Sequence, residues 1–342
     1  MDVVRLLADC LEDARSTPLG AVALPADDAS SYAAARRRFL TGGLNAVREG
    51  LPEKLPEQGW VQLSMKVGDF AWPQLYSRLA DTARELLGSG LARDFFFMHK
   101  PPGLRVRFCA QDRGRVPELR VRSAARLDPG EAGEPGWSRP VAGVYEPETY
   151  LFGGAVSMDY VHRLFTADSL AWLDRFATPN STLDSTPDSA TDRAMREESA
   201  SGGWRVSLVL LRALLDGLGV VGWEDRGVWQ VVREEAGRRL AGGLSDPQAR
   251  RAAAGIRGYW RQPASAQIDA FPAALRPLLR GRRDEVCRAA QAWRAGYFES
   301  GRPEVGPRRA AAHCVVFHWN RGRFTAARQR LLTEALLTAE GD

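Results

Sequence analysis

The sequence predicts an α+β protein: a mixed or antiparallel sheet packed with helices, followed by a helical C-terminal half. Three observations carry this. Trp60 to Val67 (WVQLSMKV) alternates in the period of a strand. DFFFMHK, the turn Pro101-Pro102-Gly103 and LRVRF form a strand–turn–strand pattern. From Trp204 onward the apolar residues recur with helical spacing. The 342 residues read as a single catalytic domain, with an N-terminal helical region over 1–55 and a mobile loop over 177–203.

In chain order, two helices come first, roughly 2–15 and 30–48, with Asp2 and Ser30 as N-caps. A Pro-rich turn, LPEKLPEQG, leads into the strand. There Val61, Leu63, Met65 and Val67 share one face; Trp60, Gln62, Ser64 and Lys66 share the other, which is either solvated or a pocket wall. Phe70 to Leu87 reads as a helix. In the second hairpin strand Leu104, Val106 and Phe108 point one way and Arg105 and Arg107 the other. Residues two apart on a strand lie about 6–7 Å from each other, so two guanidiniums could grip one carboxylate or amide, or simply form a solvated face. A short echo, LRVRS, stands at Leu119–Ser123, and a polar loop occupies 128–140.

Tyr145 to Ser169 is the centre of the chain. A turn at Glu146-Pro147-Glu148 precedes an aromatic patch, a Gly153-Gly154 break and a helix whose Met158, Val161, Leu164 and Phe165 line one face. Asp159 and Tyr160 fall near the start of that helix, where an acid suits the helix dipole. Residues 177–203 are rich in Ser, Thr, Asp and Pro, too polar to bury a core. WRVSLVLLRALLDGLG is a buried helix. The G-x-G-x-x-G that follows (Gly217, Gly219, Gly222) closes a helix instead of opening one, so it reads as a C-terminal stop and not as a dinucleotide fingerprint. Prolines 263, 272 and 277 break 258–277 into short turns carrying Tyr259, Trp260, Ser265, Gln267 and Phe271, which either line a pocket for a neutral heteroaromatic peptide or pack as a linker. The last segment bears His313, His318, Asn320 and Arg321.

Composition excludes several classes. No run of about 18 apolar residues is present, and the acidic amphipathic start is unlike a signal peptide, which predicts a cytoplasmic protein away from membranes. Cys10, Cys109, Cys287 and Cys314 are scattered, and the four histidines lack metal-site spacing, so no metal is expected. The net charge of +5 comes without a basic stripe interleaved with stacking aromatics. It favours an acidic peptide over nucleic acid.

Four short motifs, in order, carry a resemblance. They are the arginine hairpin strand, Y-x-P-E-x-x-x-F-G-G (Tyr145 to Gly154) with F-x-x-D-S (Phe165, Asp168, Ser169), the S-x-x-L-L-x-x-L-L-x-x-L-G helix from Ser207, and His-x-Asn-Arg at His318. Together they resemble the glutamate-elimination domain of lantibiotic dehydratases and its stand-alone relatives in thiopeptide biosynthesis. The resemblance implies that Arg105 and Arg107 served a glutamyl carboxylate and that His318 acts in proton transfer. One position departs: Leu151 stands where the elimination enzymes carry an arginine. That points to the pyridine synthases, which join two dehydroalanines of a modified precursor peptide in a formal [4+2] aza-cycloaddition, without a cofactor. His318 is then the expected proton shuttle, Asp159 or Tyr160 its partner at the amide, and Ser265 a further donor. Gln62, Arg105, Arg107, Trp260 and Phe271 are expected to line the pocket. A glutamate-elimination lyase and a non-catalytic leader-binding scaffold are the alternative readings.

Overall fold

The computed structural model describes residues 59–101, 103–130, 136–177, 202–301 and 303–338, with scattered positions between 11 and 43. The chain divides into two compact units, Met1–Gln58 and Gly59–Asp342. In the first, the described positions of both expected helices are helical, and Arg36 donates to the Ala14 carbonyl across them at 2.7 Å. Asp2, Ser30 and the Pro-rich turn lie outside the described residues, as does most of the 177–203 loop.

The second unit begins with β1 (Trp60–Lys66), α1 (Trp72–Gly88), β2 (Ala92–Lys100), β3 (Gly103–Ala110) and α2 (Val116–Leu127). A three-residue strand, β4 (Val141–Gly143), follows. The sheet is antiparallel in the order β2-β3-β1-β4. Its alternation sorts side chains as the sequence requires. Val61, Leu63, Met65, Phe95, Phe97, Leu104, Val106 and Phe108 share a core with Leu75, Leu79 and Leu86 of α1 and Leu119 of α2. The LRVRS echo falls inside α2, so it repeats the letters of β3 without its conformation.

A short α3 (Thr149–Phe152) ends at Gly153, and α4 runs from Gly154 to Ala177. The glycine pair is required twice over: both residues have positive φ (85° and 89°), and a β-carbon on Gly153 would lie 2.1 Å from the Tyr297 hydroxyl oxygen. The C-terminal half is helical: α5 (Gly203–Leu218), α6 (Asp225–Glu234), α7 (Pro247–Trp260), α8 (Ala264–Asp269), α9 (Arg276–Trp293), α10 (Pro307–Arg321) and α11 (Ala326–Leu337). Gly219, in the left-handed region, caps α5 as a helix stop. The prolines break the chain between α7 and α9 as expected. No single described helix is long and apolar enough to cross a membrane.

Candidate functional site

The second face of the sheet lies toward α4 and α10, and register fixes its geometry. Arg107 stands opposite Gln62 on one side and Phe96 on the other; Arg105 stands opposite Ser64 and Met98. The Arg107 Nε donates to Gln62 Oε1 at 2.8 Å, and its guanidinium lies 5.0 Å from the Phe96 ring centre and 4.8 Å from that of Tyr145. Burial lowers its pKa. Arg105 is half-buried, and among the described residues no carboxylate forms an ion pair with either arginine. The charge of Glu148, half-buried, acts on both Arg107 and Tyr145.

Under Arg107 sits a buried pair. The Tyr145 hydroxyl is 2.8 Å from His162 Nε2, and the imidazole packs 4.4 Å from the Trp60 ring. Burial first, then Arg93 and Arg107, push His162 down to about 3, so the ring is neutral. Its Nδ1 has no partner. A buried N–H without an acceptor is rarer than an idle lone pair. The proton therefore belongs on Nε2, which donates to Tyr145 and leaves the phenol its own hydrogen to give elsewhere. Burial, then Glu148, raises the phenol pKa and keeps it protonated.

Beside this face runs a second, wholly buried network. Asp168 Oδ1 accepts from His318 Nδ1 at 2.6 Å, and Oδ2 accepts from Arg321 Nε at 2.6 Å. His318 Nε2 meets the Ser207 hydroxyl at 2.9 Å, whose oxygen also takes the Trp319 indole N–H at 3.2 Å. Arg321 reaches Met98 Sδ at 3.6 Å and lies over Phe165, which joins the network to the sheet. Burial would raise the Asp168 pKa, but His318 and Arg321 outweigh it and hold the carboxyl at about 2.

The family described as lantibiotic biosynthesis dehydratase, C-terminal, matches residues 60–339. The chain belongs to that family. Among solved structures it is similar to the tRNA-dependent lantibiotic dehydratase MibB from Microbispora sp. 107891, with a TM-score of 0.56 and 17% identity over 84% of this chain and 28% of MibB. At that identity the likeness is one of fold, and this chain spans little more than a quarter of MibB. TsrL aligns over 80% of this chain and 98% of its own at 14% identity; its TM-score of 0.27 carries no argument. No curated protein sequence matches.

This dehydratase-family fold sorts the expected site residues into groups. Gln62, Arg105 and Arg107 come together on the sheet. His318 lies beside them but is 3% exposed, with both ring nitrogens engaged. Its Nδ1 lies on Asp168, which in turn holds Arg321, and its Nε2 on Ser207. Asp159 is exposed, 3.6 Å from Arg93 at the Cys109 end of β3, away from Arg105. The Tyr160 hydroxyl is wedged against Gly296, and Ser265 is exposed on α8. Trp260 is spent as well: its Nε1 donates to Asp225 at 2.8 Å, and Arg212 covers its ring at 4.0 Å. Phe271 is buried in the helical core. These five positions lie outside the group that Gln62, Arg105 and Arg107 form on the sheet.

Tyr145, Glu148, His162, Asp168 and Arg321 were not among the expected site residues. All but His162 lie inside the family motifs, so the signal was present without its assignment. His162 was invisible because one helical histidine looks like any other until its neighbours are known.

Asp94, at the bulge that opens β2, provides a test of this end of the sheet. Burial raises its pKa to about 6 against the pull of Arg93 and Arg163. A raised carboxyl pKa means the fold prefers the neutral acid. Stability from this group is present below the unfolded value of 3.8 and lost as pH rises through about 6. Asp94→Asn is expected to stabilise the protein by about 1–3 kcal/mol at pH 7.5, a gain that vanishes below about pH 4. Urea titrations at both pH values read the difference.

Proposed function

We propose that the chain is a pyridine synthase: it folds a modified precursor peptide so that two dehydroalanines combine, with loss of water and of the leader as its carboxamide. The observation that carries this reading is the pair Arg105 and Arg107, free of described carboxylates, with Gln62 holding Arg107 and the Tyr145 phenol beneath it. Leu151, half-buried on α3, supports it. There the chain offers an apolar wall where the resemblance places the elimination arginine.

The chemistry sets the demands. The amide preceding one dehydroalanine tautomerises to its imidic acid, giving a 2-azadiene. Two C–C bonds then form, β-carbon to β-carbon and imidic carbon to the second α-carbon. Water leaves with one ring methylene proton, the leader amide leaves with another, and the ring is aromatic. The sequence is redox-neutral. Arg107, Arg105 and Gln62 hold peptide carbonyls, the Tyr145 O–H stabilises the imidic oxygen, and Glu148 takes methylene protons. Bringing two distant alkenes together can alone supply roughly 7–11 kcal/mol. His318 acts through Asp168, fixing Arg321 at the edge of the site.

Incubation with a leader-bearing peptide containing two dehydroalanines tests the reading by mass spectrometry. The expected products have lost water and the leader carboxamide. Release of glutamate from a glutamylated serine peptide, with the chain intact, identifies an elimination lyase instead. Bound leader with every mass unchanged identifies a scaffold.

A further inference from the structure

Away from the arginine face, two cavities share a wall. The first, about 410 Å³, is lined by Trp72, Tyr76, Phe176 and Arg323; the second, about 530 Å³, by Ile256, Tyr259, Leu331 and Arg205. Trp204 and Arg328 line both, so the two form one continuous groove from α1 to α7 and α11. Its lining carries Arg175, Arg205, Arg323 and Arg328 against the single carboxylate of Asp69.

Two arginines of the groove lie against its aromatic rings, Arg323 also bonding the Tyr76 hydroxyl. Both are exposed. The Arg205 guanidinium lies 5.2 Å from the Trp204 ring centre and 5.8 Å from that of Tyr259; that of Arg323 lies 4.5 Å from Trp72. Neither forms an ion pair with a described carboxylate. Arg323 is also the one described non-glycine residue with positive φ, 58°. That φ belongs to the stop of α10: Phe324 N–H bonds the Trp319 carbonyl at 3.0 Å and Arg323 N–H that of Asn320 at 3.3 Å, with Arg323 in the left-handed position that usually falls to glycine. Gly255 and Gly258 line the second compartment beside open space, since a β-carbon on either would meet nothing within 4 Å.

We propose that this groove binds an extended acidic peptide segment bearing apolar side chains, namely the leader of the precursor, apart from the reacting face. The apolar side chains enter the aromatic compartments and the carboxylates meet Arg205 and Arg323. The identity of the segment as leader rests on the peptide-modifying reading above; the groove's chemistry does not.

The probe is a fluorescein-labelled peptide of about ten residues, Glu and Ser with two Leu, followed by fluorescence anisotropy. Binding is expected to weaken at least about tenfold in the Arg205→Glu, Arg323→Glu double variant and with rising salt, and to be unchanged in Arg120→Glu, exposed on α2. Arg323→Gly suits that left-handed position, so it should hold or raise Tm while lowering affinity, which separates binding from folding. Equal affinity in the double variant, or for a probe with Gln in place of Glu, overturns the proposal. Probe binding without turnover leaves the groove standing and removes the cyclase. Turnover of a leader-bearing peptide at unchanged KM in the double variant does the reverse.

Discussion

Asp168→Asn is expected to be the most destabilising conservative substitution in the chain, at about 3–5 kcal/mol. The carboxylate is 5% exposed and serves two cationic or donor groups, His318 and Arg321, the latter 1% exposed. An amide can turn its N–H toward His318 Nδ1 and its oxygen toward Arg321, but it brings no negative charge, so the buried guanidinium loses its counter-ion. Beyond that oxygen the Arg321 charge has the Met98 sulfur and the Phe165 ring. Tm should fall on the order of 10 °C. Arg321→Met in the same chain should recover part of the loss, because it removes the buried charge that the amide leaves without a counter-ion. The pH dependence has a definite sign. The Asp168 pKa is depressed, so its contribution is present above the unfolded value of 3.8 and lost as pH falls through about 2. The variant should lack that acid limb. A loss under 1 kcal/mol would mean that Arg321 has another acceptor.

The sheet was legible because strands repeat every two residues. WVQLSMKV and LRVRF state which side chains share a face, and the register then places Gln62 opposite Arg107 without further information. The glycine pair and the proline-broken 258–277 stretch were legible for the same local reason. The Asp168 network was not. Its members lie on α4, α5 and α10, with Ser207 and His318 separated by 111 residues, and no local pattern reports such a meeting. So His318 looked like a free base in a motif, when three neighbours, Asp168, Trp172 and Ser207, claim its nitrogens. Trp260 misled similarly: an aromatic in a broken segment looks like a pocket wall until Asp225 and Arg212 take its edge and face. The edge strand β4 was missed because three exposed residues carry no alternation worth reading.

Arg107→Lys is expected to lower kcat/KM for the dehydroalanine peptide about 10²–10³-fold, some 3–4 kcal/mol of transition-state stabilisation. The guanidinium is planar and sits between the Phe96 and Tyr145 rings with Nε tied to Gln62, so its remaining N–H groups point in one fixed direction. An ammonium has neither the plane for both rings nor the fork for a carbonyl, and burial that already lowers the arginine would act harder on a lysine. Arg105→Lys should cost less, since Arg105 has no described partner to orient it. Tyr145→Phe separates the roles: it keeps the ring under Arg107 and the packing on Trp60, but removes the proton donor. If Tyr145 stabilises the imidic oxygen, that variant loses kcat with KM nearly unchanged, whereas Arg107→Lys changes both. Arg107→Lys turning over within about threefold of the parent would place the reaction elsewhere in the fold. That outcome would leave Arg107 a structural role between the Phe96 and Tyr145 rings.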